Sequence, residues 1–237
     1  QSVKDNKLQV MATLVGPPPT SDQSDEDFLT EWRHYLEMIV PELTETVDYW
    51  QIGNQMNTNS IWKSFRASAQ GADPALYGKM LRIAYEIIKV NESSDLVIIG
   101  GLNNLSGQEV GGLDPLSFLK GTLQTCQPHC FDMVGLYLEW GEYLPEEKRP
   151  LNWNGNQIYV NMADYLNIFV QDVTSIVGTS KPIWITGMGL DADLPSLISE
   201  KHKIDLDAAQ TDLLVKTIVS LSSNKAVQTV FYNDLSD

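Results

Sequence analysis

Apolar positions along this chain fall into two alternating patterns. Short runs rich in β-branched and aromatic residues fit strands buried on both faces, and longer segments repeat apolar residues at helical spacing. Residues 8–15 read as a strand that Gly16 and Pro17, Pro18 and Pro19 stop sharply. Residues 25–43 form an amphipathic helix with acid in its first turn, Phe28, Trp32, Tyr35, Leu36 and Ile39 on one side, and Pro41 at its end. The run 47–52 is the next strand, closing in a burst of amides at Asn54, Gln55 and Asn57. An aromatic loop follows, from Ile61 through Trp62 to Phe65. Asp73-Pro74 is an N-cap with proline at the first helical position, and it launches a helix to Val90 through Leu76, Met80, Ile83, Ala84 and Ile87.

The pattern then repeats. Residues 96–100 are a strand ended by two glycines, and Asp114-Pro115 caps a helix to Thr125. Residues 131–140 are a strand, and a polar segment through Trp153 and Asn156 leads to a helix over 160–177. A strand at 182–186, a helix at 205–222 with Leu213, Leu214, Ile218 and Leu221 inward, and a strand at 227–232 ending in Phe231 and Tyr232 complete the chain. Six βα-like units in this order predict an α/β fold with a parallel sheet in one domain spanning 1–237. In such sheets ligands bind at the C-terminal strand ends, which places the amides after residue 52 at a candidate site.

Charge narrows the partners. The 237 residues carry a formal net charge of −15, which leaves no basic face for nucleic-acid phosphates and repels anionic membranes. At 43% hydrophobic and 20% charged the composition is that of a globular protein. No apolar run approaches the ~18 residues of a membrane span, and no charged-then-apolar leader opens the chain. Cys126 and Cys130 flank Gln-Pro-His. They can close a short disulfide loop, supply with His129 three metal ligands, or stand as two thiols at a helix–strand junction, which is the plainest reading. A secreted or extracytoplasmic setting is the one favoured, and sequons at Asn91 and Asn104 matter only in a eukaryotic secretory context. His34 on a helix and His202 in a loop have no motif around them, and no cofactor, metal cluster, phosphate loop or Ser/His/Asp spacing is expected.

Two segments carry a family likeness. Tyr49-Trp-Gln-Ile-Gly-Asn-Gln-Met-Asn57 resembles the fourth-strand signature of clan A glycoside hydrolases, W-x-I-x-N-E-P-N, in which the Glu is the general acid/base. Lys181-Pro-Ile-Trp-Ile-Thr-Gly-Met-Gly-Leu190 resembles their seventh-strand signature, K-P-I-W-x-T-E-x-G, whose Glu is the nucleophile, and the family 39 pattern is the nearest in look. The resemblance implies a TIM-type (β/α) barrel, incomplete because the matches cover strands three to eight, with a partner chain as one way to cover the third-strand edge. It also implies a carbohydrate ligand. Asn54 would bond a sugar hydroxyl, and Asn57, Trp62, Tyr137 and Trp140 would add polar and stacking contacts. Trp50 and Trp184 fall in the opposite strand parity and are expected to pack against helices.

Both catalytic carboxylates are replaced: Gln55 stands at the acid/base position and Gly187 at the nucleophile position. A retaining glycosidase needs one acid to protonate the leaving oxygen and one carboxylate to attack the sugar. A carboxamide has no proton to give at neutral pH, and glycine has no side chain. The expectation is therefore a catalytically silent domain that binds or positions a glycan. The competing readings are an active enzyme using relocated acids, Glu139, Glu142, Asp191 or Asp193, and a non-catalytic interaction scaffold.

Overall fold

The computed structural model describes residues 9–16, 24–65, 69–105, 107, 111–126, 130–153, 156–188 and 194–231. Of the residues singled out above, Leu8, Pro17 to Pro19, His129, Gly189, Leu190, Asp191, Asp193 and Tyr232 lie outside them. The strands are β1 (Met11–Leu14), β2 (Tyr49–Ile52), β3 (Leu96–Asn103), β4 (Met133–Leu138), β5 (Arg149–Trp153), β6 (Asn156–Val160), β7 (Ile183–Met188) and β8 (Val227–Val230). The helices are α1 (Asp25–Leu43), α2 (Asn59–Phe65), α3 (Pro74–Asn91), α4 (Pro115–Leu123), α5 (Met162–Val177), α6 (Leu194–His202) and α7 (Leu206–Ser222). Six strands form one sheet in the order β1-β2-β3-β4-β7-β8, the strand succession of an incomplete TIM-type (β/α) barrel, and β5 and β6 pair separately. The chain divides into two compact units, Gln1–Gly135 and Leu136–Asp237, with the boundary inside β4.

In the first unit, local chemistry sets the helix starts. Ser24 accepts from Asp27 N at 3.1 Å to cap α1, whose first turn holds Asp25, Glu26 and Asp27. Asp73 accepts from Leu76 N at 2.9 Å ahead of Pro74, and Asp114 accepts from Ser117 N at 3.0 Å ahead of Pro115. Pro41 lies inside α1 and does not end it. The N–H it lacks is one bond near the C-terminus, and the helix runs on to Leu43. Phe28, Trp32, Leu36 and Val40 form the buried stripe of α1, and the Trp32 indole donates to Met80 O at 2.9 Å on α3. β1 and β2 pair in parallel from Met11 opposite Tyr49, and β2 and β3 from Tyr49 opposite Leu96. Trp50 is fully buried and donates to Asp95 Oδ2 at 2.8 Å, a packing role. Cys126 and Cys130 are joined as a disulfide with Cα atoms 5.7 Å apart, in place of the two thiols expected.

The first unit departs from the sequence pattern in two places. Residues 59–65 are helix α2, not a loop. β3 runs through Gly100 and Gly101 to Asn103, because a Cβ at Gly100 would meet Ile52 O and lie 2.8 Å from Gly53 O. The glycine is what lets β3 pass so close to the end of β2.

In the second unit, β5 and β6 are an antiparallel hairpin where a polar loop was expected, with Arg149 opposite Val160 and Trp153 opposite Asn156. Trp153 packs edge-on to Tyr165 at 5.4 Å, and its indole donates to Asp172 Oδ2 at 2.7 Å. α5 begins at Asn161, which accepts from Asp164 N, and ends at Gly178 in the left-handed conformation, φ 79°. α6 occupies the stretch that read as irregular, so His202 closes a helix, beside Glu147 at 3.2 Å. In α7 the buried line is Ala209, Leu213, Thr217 and Leu221, a four-residue repeat, and the expected Ile218 is 48% exposed. Leu144, Ile198, Ala209 and Leu213 form the core under α6 and α7.

Candidate functional site

The C-terminal tip of β2 is held from three sides. Gly53 and Gln55 both have positive φ, 70° and 51°, and for Gln55 this is a left-handed conformation that few non-glycine residues adopt. The Tyr77 hydroxyl, fully buried on α3, donates to Ile52 O at 2.7 Å and accepts from Gly100 N at 2.7 Å, tying the end of β2 to β3. Gln55 N donates to Gly101 O at 2.8 Å, and Gln55 O accepts from the backbone and hydroxyl of Thr58, each at 2.9 Å. Burial holds the Tyr77 phenol neutral by raising its pKa far above the ordinary 10.0.

The amides of the tip divide into two groups. Asn57 is fully buried: its Nδ2 donates to Asn103 O at 2.9 Å and Leu113 O at 3.0 Å, and its Oδ1 accepts from Asn103 N at 2.8 Å. Trp62 is 1% exposed and its indole donates to Met56 O, so it braces the loop from beneath. Asn54 and Gln55 are half-buried. Gln55 Oε1 accepts from Asn103 Nδ2 at 2.9 Å, and Asn54 Oδ1 accepts from Gln51 Nε2 at 3.4 Å. Neither amide nitrogen of this pair bonds another described residue.

Asn103 was not singled out from the sequence. Its signal is the Asn103-Asn104 pair at the end of an apolar run, the same arrangement of amides after a strand that marks 54–57.

In the second unit, Tyr137 is half-buried on β4. Trp140, just beyond it, is 4% exposed, with its indole donating to Leu144 O at 3.3 Å and the Arg149 guanidinium 5.5 Å over its ring. Glu139 is half-buried, and its carbonyl accepts from Arg149 Nη1 at 3.4 Å. Glu142 is exposed. Gly187 is buried in β7, beside Thr186, whose buried hydroxyl has no hydrogen-bond partner among the described residues. Trp184 is buried with its ring 5.6 Å from Phe231. Among the described residues no three His, Cys, Asp or Glu side chains stand together as a metal site, and no helix is long and apolar enough to cross a membrane.

Six parallel strands in this succession define an incomplete TIM-type (β/α) barrel fold. No family model matches the chain, and no curated protein matches it in sequence. Solved structures match it in fold. Xylanase 10B from Thermotoga maritima superposes with a TM-score of 0.58 at 14% identity, over 97% of this chain and 63% of its own. An endo-β-1,3-glucanase of glycoside hydrolase family 128 from Sorangium cellulosum gives 0.55 at 13% identity, over 99% of this chain and 73% of its own. A family 39 β-xylosidase from Caulobacter crescentus gives 0.56 at 15% identity, over 88% of this chain and 39% of its own. The chain therefore has a glycoside-hydrolase-like fold, and it shares only 13 to 15% sequence identity with the three.

Proposed function

We propose that this chain binds or positions a glycan through a glycoside-hydrolase-like fold and does not cleave it. In the clan A pattern that residues 49–57 and 181–189 resemble, with family 39 the nearest variant, Gln55 occupies the acid/base position and Gly187 the nucleophile position. The observation that carries the reading is the Gln55 side chain. It sits at a β2 tip in left-handed backbone, hydrogen-bonded by Asn103, and bears an amide where proton transfer needs an acid. General acid–base transfer contributes about 10²- to 10⁴-fold, and a missing nucleophile removes the covalent route as well. The steric outline of a glutamate is kept while its acid chemistry is gone, which suits holding a sugar.

Asn54 and Gln55 are the half-exposed side chains of the β2 tip that would touch the ligand. Asn57 and Trp62 are buried with their polar atoms bonded to backbone, so their part is to shape the loop that carries those contacts, and Trp140 of the second unit is likewise buried and bonded to Leu144 O. Calorimetric titration with xylotetraose, laminaritetraose and cellotetraose tests the proposal. Saturable binding of at least one, weakened by Asn54→Ala, is expected. Binding to none of a broad oligosaccharide panel would overturn it.

A further inference from the structure

We infer that Asn103 is a positioning residue that fixes the polarity of the Gln55 side chain, so that the free end of Gln55 offers hydrogen-bond donors to its ligand. The argument follows the direction of each bond, since an N–H can only donate. The Leu105 backbone N–H donates at 2.8 Å to the Asn103 side chain, so the accepting atom is the oxygen Oδ1 and the other branch is the NH₂ group. That NH₂ meets the Gln55 side chain at 2.9 Å, so the Gln55 atom facing it is the oxygen Oε1. The remaining branch of Gln55 is then Nε2, with two N–H groups and no partner among the described residues. One backbone N–H thus sets the orientation of two amides in series.

Neither amide has freedom to reverse. Asn57 clamps the Asn103 backbone through both its N–H and its C=O, at 2.8 and 2.9 Å. The Gln55 backbone is pinned at Gly101 O and at Thr58. Rotating the Gln55 amide by half a turn would set NH₂ against NH₂, leaving two donors facing each other at a half-buried position. A glutamate at 55 would accept the same Asn103 bond but turn an oxygen outward. The Gln55 site therefore selects an oxygen that accepts, such as the bridging or ring oxygen of a neutral sugar, and disfavours a cationic amino group at that position. This last step rests on the glycan-binding reading; the polarity itself does not.

The test has two arms. In the first, side-chain amide ¹H–¹⁵N spectra of the ligand-free protein are assigned with Gln55→Glu and Asn103→Asp. The Asn103 NH₂ is expected to exchange slowly with water and the Gln55 NH₂ rapidly. In Asn103→Asp one carboxylate oxygen still accepts from Leu105 and the other faces Gln55, so the Gln55 amide turns over and its NH₂ becomes the protected one. Rapid exchange of the Asn103 NH₂ in the unaltered protein, or a Gln55 NH₂ that exchanges alike in both proteins, overturns the inference whether or not the variant is stable. In the second arm, xylotetraose and laminaritetraose are titrated into both proteins. Wherever the unaltered protein binds, Asn103→Asp weakens binding by about tenfold, the equivalent of one hydrogen bond. Unchanged affinity contradicts the selection step, and no binding by either protein contradicts the glycan reading while the exchange data still decide the polarity.

Discussion

The Tyr77 hydroxyl donates to Ile52 O across 2.7 Å, and through this bond a helix buried 25 residues downstream holds the end of the strand that carries Gln55. The same oxygen accepts from Gly100 N at 2.7 Å. Tyr77→Phe leaves a buried carbonyl and a buried N–H without partners, and a stability loss of about 2 to 3 kcal/mol in urea unfolding is expected. A loss below about 0.5 kcal/mol would mean that the strand end is held by other contacts.

Tyr77 also sets an alkaline limit. Burial raises its folded-state pKa above the ordinary 10.0, so the unfolded chain releases this proton first as pH rises. The stabilising contribution is complete below pH 10.0 and falls as pH climbs beyond it. Stability measured by chemical denaturation from pH 8 to about 11 should show this decline, and the decline should be smaller in Tyr77→Phe.

Gly100 is the second restraint on the tip. A methyl group there would press on two backbone oxygens, Ile52 O and Gly53 O, which no side-chain adjustment relieves. Gly100→Ala is expected to cost about 3 kcal/mol or to abolish folding, while Gly178→Ala, with nothing within 4 Å of the added carbon but φ at 79°, costs only about 1 kcal/mol. Equal effects in thermal melts would contradict the close approach of β3 to β2.

In the second unit, the bond from the Trp153 indole to Asp172 ties the β5–β6 hairpin to α5 at 2.7 Å. Trp153 is 7% exposed, so Asp172→Ala strands a donor in an aromatic cluster. A destabilisation of about 1 to 2 kcal/mol is expected, accompanied by a change in tryptophan emission. Emission and stability both unchanged would show that the hairpin does not depend on this contact.

Much of the fold was legible because its determinants are local. Asp73-Pro74 and Asp114-Pro115 cap helices with side chains that reach only three residues ahead, so the sequence alone places α3 and α4. The hairpin of β5 and β6 had its own signal, alternating residues on either side of Asn154-Gly155, a pair favoured in tight turns. In α7 a threonine, Thr217, takes the buried position that its neighbour Ile218 would fill by hydrophobicity, because the four-residue line from Ala209 to Leu221 sets the buried face. The site was legible only in part. Gln55 stood out by motif, but its partner Asn103 lies 48 residues away, and that pairing depends on β3 continuing through two glycines. The family resemblance made Asn57 and Trp62 ligand contacts, and only their hydrogen bonds show them buried and bonded to backbone.

Gln55→Glu separates shape from chemistry. Asn103 can donate to a carboxylate as it does to the amide, so the variant should fold with stability within about 1 kcal/mol of the parent. It should still turn over no glycoside while residue 187 is glycine, and activity from the single change would show that another group supplies the nucleophile.

Turnover by the unaltered protein is the most direct measurement. Aryl β-glycosides and the tetrasaccharides that bind are incubated with it and followed for released nitrophenol and shortened sugars. The account predicts oligosaccharide that is bound and recovered intact, whereas product formation that disappears in Glu139→Gln would contradict it.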